Sequence, residues 1–344
     1  MTTTYEVVGK PVTRQEGPDK VLGTFLYSAD VNLPGMIWGK VLRSPFPHAK
    51  IVKIDASKAL AMPGVHAVIT GQDTLGMRIG RSVRDVPLLA EDEVRFVGEK
   101  VAAVAADSPD IAEEALLLIE VEYEPLPAIF DPIAAMEPDA PLVHDGSPSF
   151  ESSSGPIQPE GNVVNHSTWS SGDMEQGFSE SDQIFEHTFT TTWVHQGYME
   201  PYACVVDIDD AERVQVWANN KVPYTLRKQL ADALGLPEEQ IRVNPCGIGG
   251  DFGGKSPAMN VPIAYFLAKS SGRPVKMIMS YIEELVAGNP RHPSFITIKT
   301  GVKNDGTFMA RESRVIYNGG AYCGFRGRAG LAGSRDAAGG QYHI

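Results

Sequence analysis

The sequence predicts an α+β fold in more than one folding unit, and three observations carry that expectation. Strand-like and helix-like stretches both occur, but without the repeated strand–helix alternation of a doubly wound sheet. A segment punctuated by proline and serine, residues 129–161, separates two regions of ordinary globular composition. The second region holds an apolar run that enters a helical pattern through a glycine-rich turn. A length of 344 residues also suits two domains with cores of their own.

Residues 1–19 are polar and read as a lead-in arm. From 20 to 128 the pattern is that of a small α+β domain. Ile37–Leu42 and Val65–Thr70 read as strands, with a short helical stretch near Ser57 and a Pro63-Gly64 turn between them. Val101–Ala106 is nearly all apolar, as a strand covered on both faces should be. Ser108-Pro109 supplies an N-cap and a first-turn proline for a helix reaching about Leu118, and a strand at Val121–Tyr123 follows. In residues 129–161, the pairs Asp131-Pro132, Glu137-Pro138, Ala140-Pro141, Ser147-Pro148 and Gly155-Pro156 mark a linker.

Residues 162–344 form the second domain. Ile184–Trp193 reads as a strand, and Cys204–Ile208 with Arg213–Ala218 as a hairpin. Leu226–Leu234 is a helix closed by Gly235 and Pro237. Ile241–Val243 leads into Asn244-Pro245-Cys246-Gly247-Ile248-Gly249-Gly250-Asp251-Phe252-Gly253-Gly254-Lys255-Ser256, and a helical pattern runs from Met259 to Ala268. Val275–Ser280 is a strand, and Phe295–Val302 with Phe308–Tyr317 a hairpin turning at Asn304-Asp305-Gly306. Gly319 to Gly340 is loop-like, an unusual close for a compact domain.

The net charge of −13 argues against non-specific binding to nucleic acid or to an acidic membrane. The N-terminus has no leader pattern and no apolar run is long enough to span a bilayer, so the chain reads as cytoplasmic. Cys204, Cys246 and Cys323 lie far apart without a C-x-x-C, which leaves this chain no iron–sulfur or structural zinc site and no expected disulfide.

Five glycines between Gly247 and Gly254 make a turn nearly free of Cβ atoms. Backbone N–H groups there can approach an anionic group closely, above all where a helix follows. Gly249 to Ser256 also fits G-x-x-x-x-G-K-S, the Walker A pattern of P-loop nucleotide hydrolases. Against it, Pro257 stands where the P-loop helix is already under way, and Val275–Ser280 does not end in the expected Asp.

The same turn resembles the G-G-x-F-G-G-K loop of the molybdenum-binding large subunit in the xanthine dehydrogenase/aldehyde oxidase family. Asp19–Gly23, Arg43-Ser44-Pro45-Phe46-Pro47-His48-Ala49, Pro63-Gly64-Val65 and Val97-Gly98-Glu99-Lys100-Val101-Ala102 resemble its first domain, the a/b hammerhead. His195-Gln196-Gly197-Tyr198-Met199-Glu200-Pro201, Gly272-Arg273-Pro274-Val275, Arg291-His292-Pro293 and Gly320-Ala321-Tyr322 resemble its first cofactor-binding domain. The resemblance implies a hammerhead over 20–128 and a molybdopterin-binding domain, C-terminally incomplete, over 162–344.

It implies a molybdenum-dependent oxidoreductase that oxidises an aldehyde or N-heterocycle with water as the oxygen source. The cofactor is molybdopterin or molybdopterin cytosine dinucleotide; a [2Fe-2S] subunit and an FAD subunit carry electrons away. In that picture Gly250, Phe252, Gly253 and Gly254 bind the cofactor, with the N–H groups of Phe252 and Gly253 facing an oxo or pterin oxygen. Gln196 corresponds to a glutamine whose amide hydrogen-bonds an oxo ligand. Ser256 stands on the substrate side, where xanthine-type enzymes carry a glutamate that reads the purine, so other substrates are favoured. Ala321–Arg326 resembles the cysteine loop of carbon monoxide dehydrogenases but falls too early, and Cys323 reads as a buried small residue. His48 and His292 read as structural, His195 lacks any base–nucleophile spacing, and Lys255 has a solvated reading. The family's general base lies beyond Ile344, so no residue here is assigned as catalytic or as a metal ligand. The chain is then expected to work with the second half of a split large subunit, or to be an inactive truncated fragment.

Overall fold

A seven-stranded mixed sheet runs across the proline-rich segment and joins the sequence on either side of it. Its strands lie in the order Ile241–Asn244, Val214–Ala218, Ala203–Ile208, Val275–Ile278, Ile37–Arg43, Lys100–Ala106, Val65–Thr70. Four come from the second region and three from the first. The computed structural model describes residues 5–144, 149–152 and 155–324.

The join is the parallel pairing of Ile37–Arg43 with Val275–Ile278, in register Ile37↔Val275, Trp38↔Lys276, Gly39↔Met277. Gly39 is required there: a Cβ on it would stand 2.8 Å from Met277 Cγ and 3.1 Å from Leu267 on the overlying helix Val261–Ser271. One register step away, Lys276 is buried at 2% exposure. Its Nζ bonds Ala29 O (2.8 Å) and Asn32 Oδ1 (2.9 Å) and lies 5.2 Å from the Trp38 ring. One core cluster runs through both regions, from Ile37, Ala103 and Leu88 to Val206, Leu230, Ile263 and Val275.

On the other face of the strand Lys100–Ala106, the helix Pro109–Leu116 buries Ala112 and Ala115. Ser108 caps that helix, its Oγ accepting from Ile111 N–H at 3.2 Å. The strand is buried at every position after Lys100, which accounts for its unbroken apolar sequence. A second small sheet holds Glu93–Val94, Ala49–Asp55 and Glu120–Pro125. Ala49–Asp55 mixes lysines with isoleucine and valine without strict alternation, behind a proline-rich motif, and it is not among the strands expected from the sequence.

The strand Gln183–Thr190 and the hairpin Ser294–Val302/Phe308–Tyr317 form a separate three-stranded antiparallel sheet. Two helices are likewise unexpected: Met174–Ser179, and Tyr281–Ala287 with its Ser280/Glu283 capping box. No helix among the described residues is long and apolar enough to cross a membrane.

The segment Gly320–Gly324 docks against the first region. Asp85 accepts from Gly324 N–H (2.7 Å) and Cys323 N–H (2.5 Å), and buried Glu99 accepts from Tyr322 OH (2.6 Å). Cys323 is buried, in accord with its reading as a small core residue. Residues 325–344, including Phe325, Arg326 and most of the glycine-rich close, lie outside the described residues.

His144 Nε2 sits 2.7 Å from Ala321 O, and its ring packs on Tyr322 and Phe150. Burial pushes its pKa down from 6.5 to about 4. The folded state therefore favours the neutral ring. That contribution is complete above the unfolded value and is lost as pH falls toward 4. Between pH 6.5 and 4 this group should cost about 3 kcal/mol of stability. Urea titrations of the wild type and His144→Gln at both pH values should show the variant losing less by about that amount.

Candidate functional site

The glycine turn leaves the sheet at its edge strand, Ile241–Asn244, and is fixed before its outer part begins. Gly247 N–H donates to Leu26 O at 2.8 Å, and a Cβ on Gly247 would stand 2.2 Å from the Phe25 ring. Gly250 (φ +102°) and Gly253 (φ +98°) take backbone conformations open to glycine, and Phe252 takes a left-handed one (φ +44°) at a cost of about 1–2 kcal/mol. The ring of Phe252 is nonetheless 64% exposed.

Two carboxylates hold the turn. Asp251 accepts from Gly253 N–H (2.9 Å), Lys255 N–H (2.5 Å) and Lys221 Nζ (2.8 Å). Desolvation is the largest single effect and raises its pKa, but these bonds and the Lys221 charge together outweigh it and bring the value below the usual carboxylate range. Glu200 Oε2 accepts from Gly249 N–H at 2.6 Å and from Lys255 Nζ at 2.8 Å. Gly254 O accepts from Tyr202 OH and from Asn289 Nδ2. Phe252 O accepts from Arg291 Nη2 at 2.8 Å.

Behind the turn lies a cluster of Tyr198, Tyr202, Met259, Met279 and Ala287. Glu284, 1% exposed, accepts from Tyr198 OH at 2.7 Å and from Tyr202 N–H. Desolvation first, and the Glu284 carboxylate second, raise the Tyr198 pKa far above that of a free phenol. His195 Nδ1 accepts from Gly197 N–H at 3.1 Å, so its hydrogen is on Nε2, 3.6 Å from Glu284 Oε2. Gln196 Nε2 donates to Asn289 O at 2.7 Å, leaving Gln196 Oε1 buried without a partner. His195, Glu284, Asn289 and His292 line one end of a groove of ≈ 1950 Å³ that extends to Trp193 and Tyr322.

The structure brings most of the expected residues together. Gln196 Oε1 lies 3.1 Å from where a Cβ on Gly254 would stand, and Gly250 packs against Tyr198. Phe252 and Gly253 form the outward shelf; around Gly253 nothing comes nearer to a Cβ than Arg291 Nη2 at 3.6 Å. The N–H of Gly253 is turned to Asp251, however, and that of Gly254 to Asp251 O. Ser256 lies inside, 5% exposed, with its carbonyl taking a hydrogen bond from Asn220 Nδ2.

Two readings are corrected. The helix starts at Val261, with Asn260 as its cap, two residues after the Met259 expected from the sequence pattern. Lys255 is not solvated: its side chain is fully buried, on Glu200 and 4.7 Å from the Tyr198 ring. Burial pulls its pKa below the ordinary lysine value, and Glu200 opposes that pull. A Walker lysine must reach a phosphate outside the loop; this one points into the core, so the P-loop reading does not hold. Glu200 and Tyr198 stood inside a motif already noted, yet without an assigned role; Glu284 and Asn289 had no local signal.

The chain is similar to known proteins over nearly its whole length. Residues 22–127 match the family model "Aldehyde oxidase and xanthine dehydrogenase, a/b hammerhead domain", and residues 157–344 match "Molybdopterin cofactor-binding domain". The chain is 39% identical, over 98% of its length, to a probable xanthine dehydrogenase subunit of Bacillus subtilis, of which it spans 44%. It is 33% identical, over 93% of its length, to the nicotinate dehydrogenase large molybdopterin subunit of Eubacterium barkeri, of which it spans 72%. Among solved structures, a CO dehydrogenase from Oligotropha carboxidovorans superposes with a TM-score of 0.80 at 32% identity, covering 89% of this chain and 39% of that one.

Proposed function

Because the chain belongs to the xanthine dehydrogenase/aldehyde oxidase family of molybdenum hydroxylases, we propose that it forms the N-terminal portion of a large subunit. In this reading its glycine turn is one wall of the molybdenum-pterin site of an oxidoreductase acting on an aldehyde or N-heterocycle. The observation that carries the reading is the Phe252–Gly253 shelf beside Gln196. The shelf is strained and exposed, and it is backed by buried ties that leave Gln196 Oε1 without a partner. An exposed aromatic face and a spare acceptor over a glycine floor fit a flat, N–H-bearing pterin.

When bound, the cofactor supplies the two-electron oxidant. The chain's own residues hold and shield. Gln196 would orient the group through its amide, and Gly253 leaves room where any side chain would intrude. The Tyr198–Tyr202–Glu284 cluster keeps water from the back of the turn. Ser256 in place of a purine-reading glutamate supports a substrate other than xanthine. Water as oxygen source, the cytosine dinucleotide form, and electron transfer to [2Fe-2S] and FAD subunits belong to the same proposal. So does the remainder of the large subunit, whether on this chain or on another. Its support is that the chain spans 44% of one relative and 72% of another that is itself a large molybdopterin subunit.

The test is to co-produce the chain with the genes adjoining its own and measure molybdenum, pterin and dye reduction with aldehydes and N-heterocycles. Stoichiometric molybdenum-pterin with turnover is expected; an assembled complex free of both would overturn the reading. Within it, Gly253→Val should lower molybdenum occupancy by roughly tenfold, since a β-branched residue at φ +98° costs more than about 1.4 kcal/mol and fills the shelf. Isothermal titration should show no Mg²⁺-dependent ATP binding to the chain, with or without Lys255→Ala.

A further inference from the structure

We propose that Glu200 is a positioning residue for the Phe252–Gly253 shelf, tying the two ends of the turn through one oxygen. The inference rests on the reading that this shelf faces the molybdenum-pterin.

A single oxygen, Oε2, takes the N–H of Gly249 at the entrance of the turn and the ammonium of Lys255 at its exit. The strained Phe252 and the positive-φ glycines Gly250 and Gly253 lie between those two points. Contact is close as well as polar: a Cβ on Gly249 would stand 2.7 Å from the Cβ of Glu200. Asp251 ties the turn internally and to Lys221, but it moves with the turn. Glu200 belongs to a different segment, and Tyr198 and Tyr202 on either side of it are anchored to Glu284. Glu200 therefore references the turn to the buried cluster behind it. Its other oxygen, Oε1, is buried with no partner, so the carboxylate is not placed to satisfy itself fully. A residue serving only to neutralise Lys255 needs no contact with Gly249.

Both partners of Oε2 are donors. Because one oxygen takes both, Glu200→Gln can keep both bonds through its amide oxygen, with the NH₂ in the place of the unpartnered Oε1. Glu200→Leu removes both bonds. The confounding effect is the unpaired ammonium that this variant leaves in the core. The double variant Glu200→Leu/Lys255→Met removes both charges together, and replacement of a buried pair by apolar side chains is often neutral for stability.

The experiment uses the co-produced complex and reads three quantities: molybdenum per protein, pterin fluorescence after denaturation, and the urea midpoint. For the double variant we expect a urea midpoint close to that of the wild type, with molybdenum and pterin reduced about tenfold. Glu200→Leu should show the same loss of cofactor whatever its midpoint. Should the double variant recover both midpoint and cofactor, Glu200 merely balances a charge and the inference is overturned. Full cofactor loading in Glu200→Leu would overturn it as well. A wild-type complex without molybdenum-pterin would instead refute the proposed function, and with it the premise of this inference.

Discussion

Lys255→Met is expected to destabilise the chain by about 3–5 kcal/mol, because it strands a carboxylate in a site built for a pair. The Lys255 side chain is fully buried and that of Glu200 is 13% exposed. Methionine matches the length of the lysine stem and keeps its contact with the Tyr198 ring, so the loss reports the missing charge rather than a cavity. What remains to Glu200 Oε2 is Gly249 N–H, while Oε1 already lacks a partner. Denaturant unfolding should give a lower midpoint with an unchanged slope. Adding Glu200→Leu should recover most of the loss. A single variant within 1 kcal/mol of wild type, about the worth of an exposed pair, would show that the site is wetter than its burial indicates.

Glu284→Leu carries the second large effect, about 4 kcal/mol. Its carboxylate serves two buried donors on the same loop, Tyr198 OH and Tyr202 N–H. Each donor left without an acceptor costs about 1–3 kcal/mol. The residue also stands in the first turn of the helix Tyr281–Ala287, where a negative charge is favoured. Glu284→Gln keeps an acceptor and should lose less than half as much. Limited proteolysis should locate the damage: cleavage near His195–Glu200 should rise in Glu284→Leu and stay near wild type in Glu284→Gln. Equal sensitivity in both would mean that Glu284 does not hold that loop.

Both effects depend on pairs that no local pattern announces. Lys255 follows Gly254 in a stretch that reads as a loop about to become a helix, where a lysine is ordinarily solvated. Only the position of Glu200, 55 residues earlier and with no special spacing, turns it into a core residue. Glu284 looks like an ordinary first-turn acid. Its role comes from the tyrosines that fold against it, more than 80 residues away in sequence.

The sequence by itself determined the local elements. Strand Val65–Thr70, the buried strand before Ser108, the capped helix after it and the Asn304–Gly306 hairpin all follow from side-chain periodicity and turn chemistry, which act over a few residues. It also located the glycine turn, since only a run of residues without Cβ can take φ values near +100° twice in four residues. The tertiary structure decided how those elements join. Nothing near Ile37 or Val275 specifies that they pair, and the proline-rich segment between the two regions reads as a divider. Yet one sheet and one core pass through both, because pairing Ile37–Arg43 edge to edge with Val275–Ile278 and covering both with one helix removes more apolar surface than two separate sheet edges could. The same tertiary balance turned the lysine inward. A charge enters a core only where a partner is already fixed, and that partner is placed by the fold rather than by its neighbours in the chain.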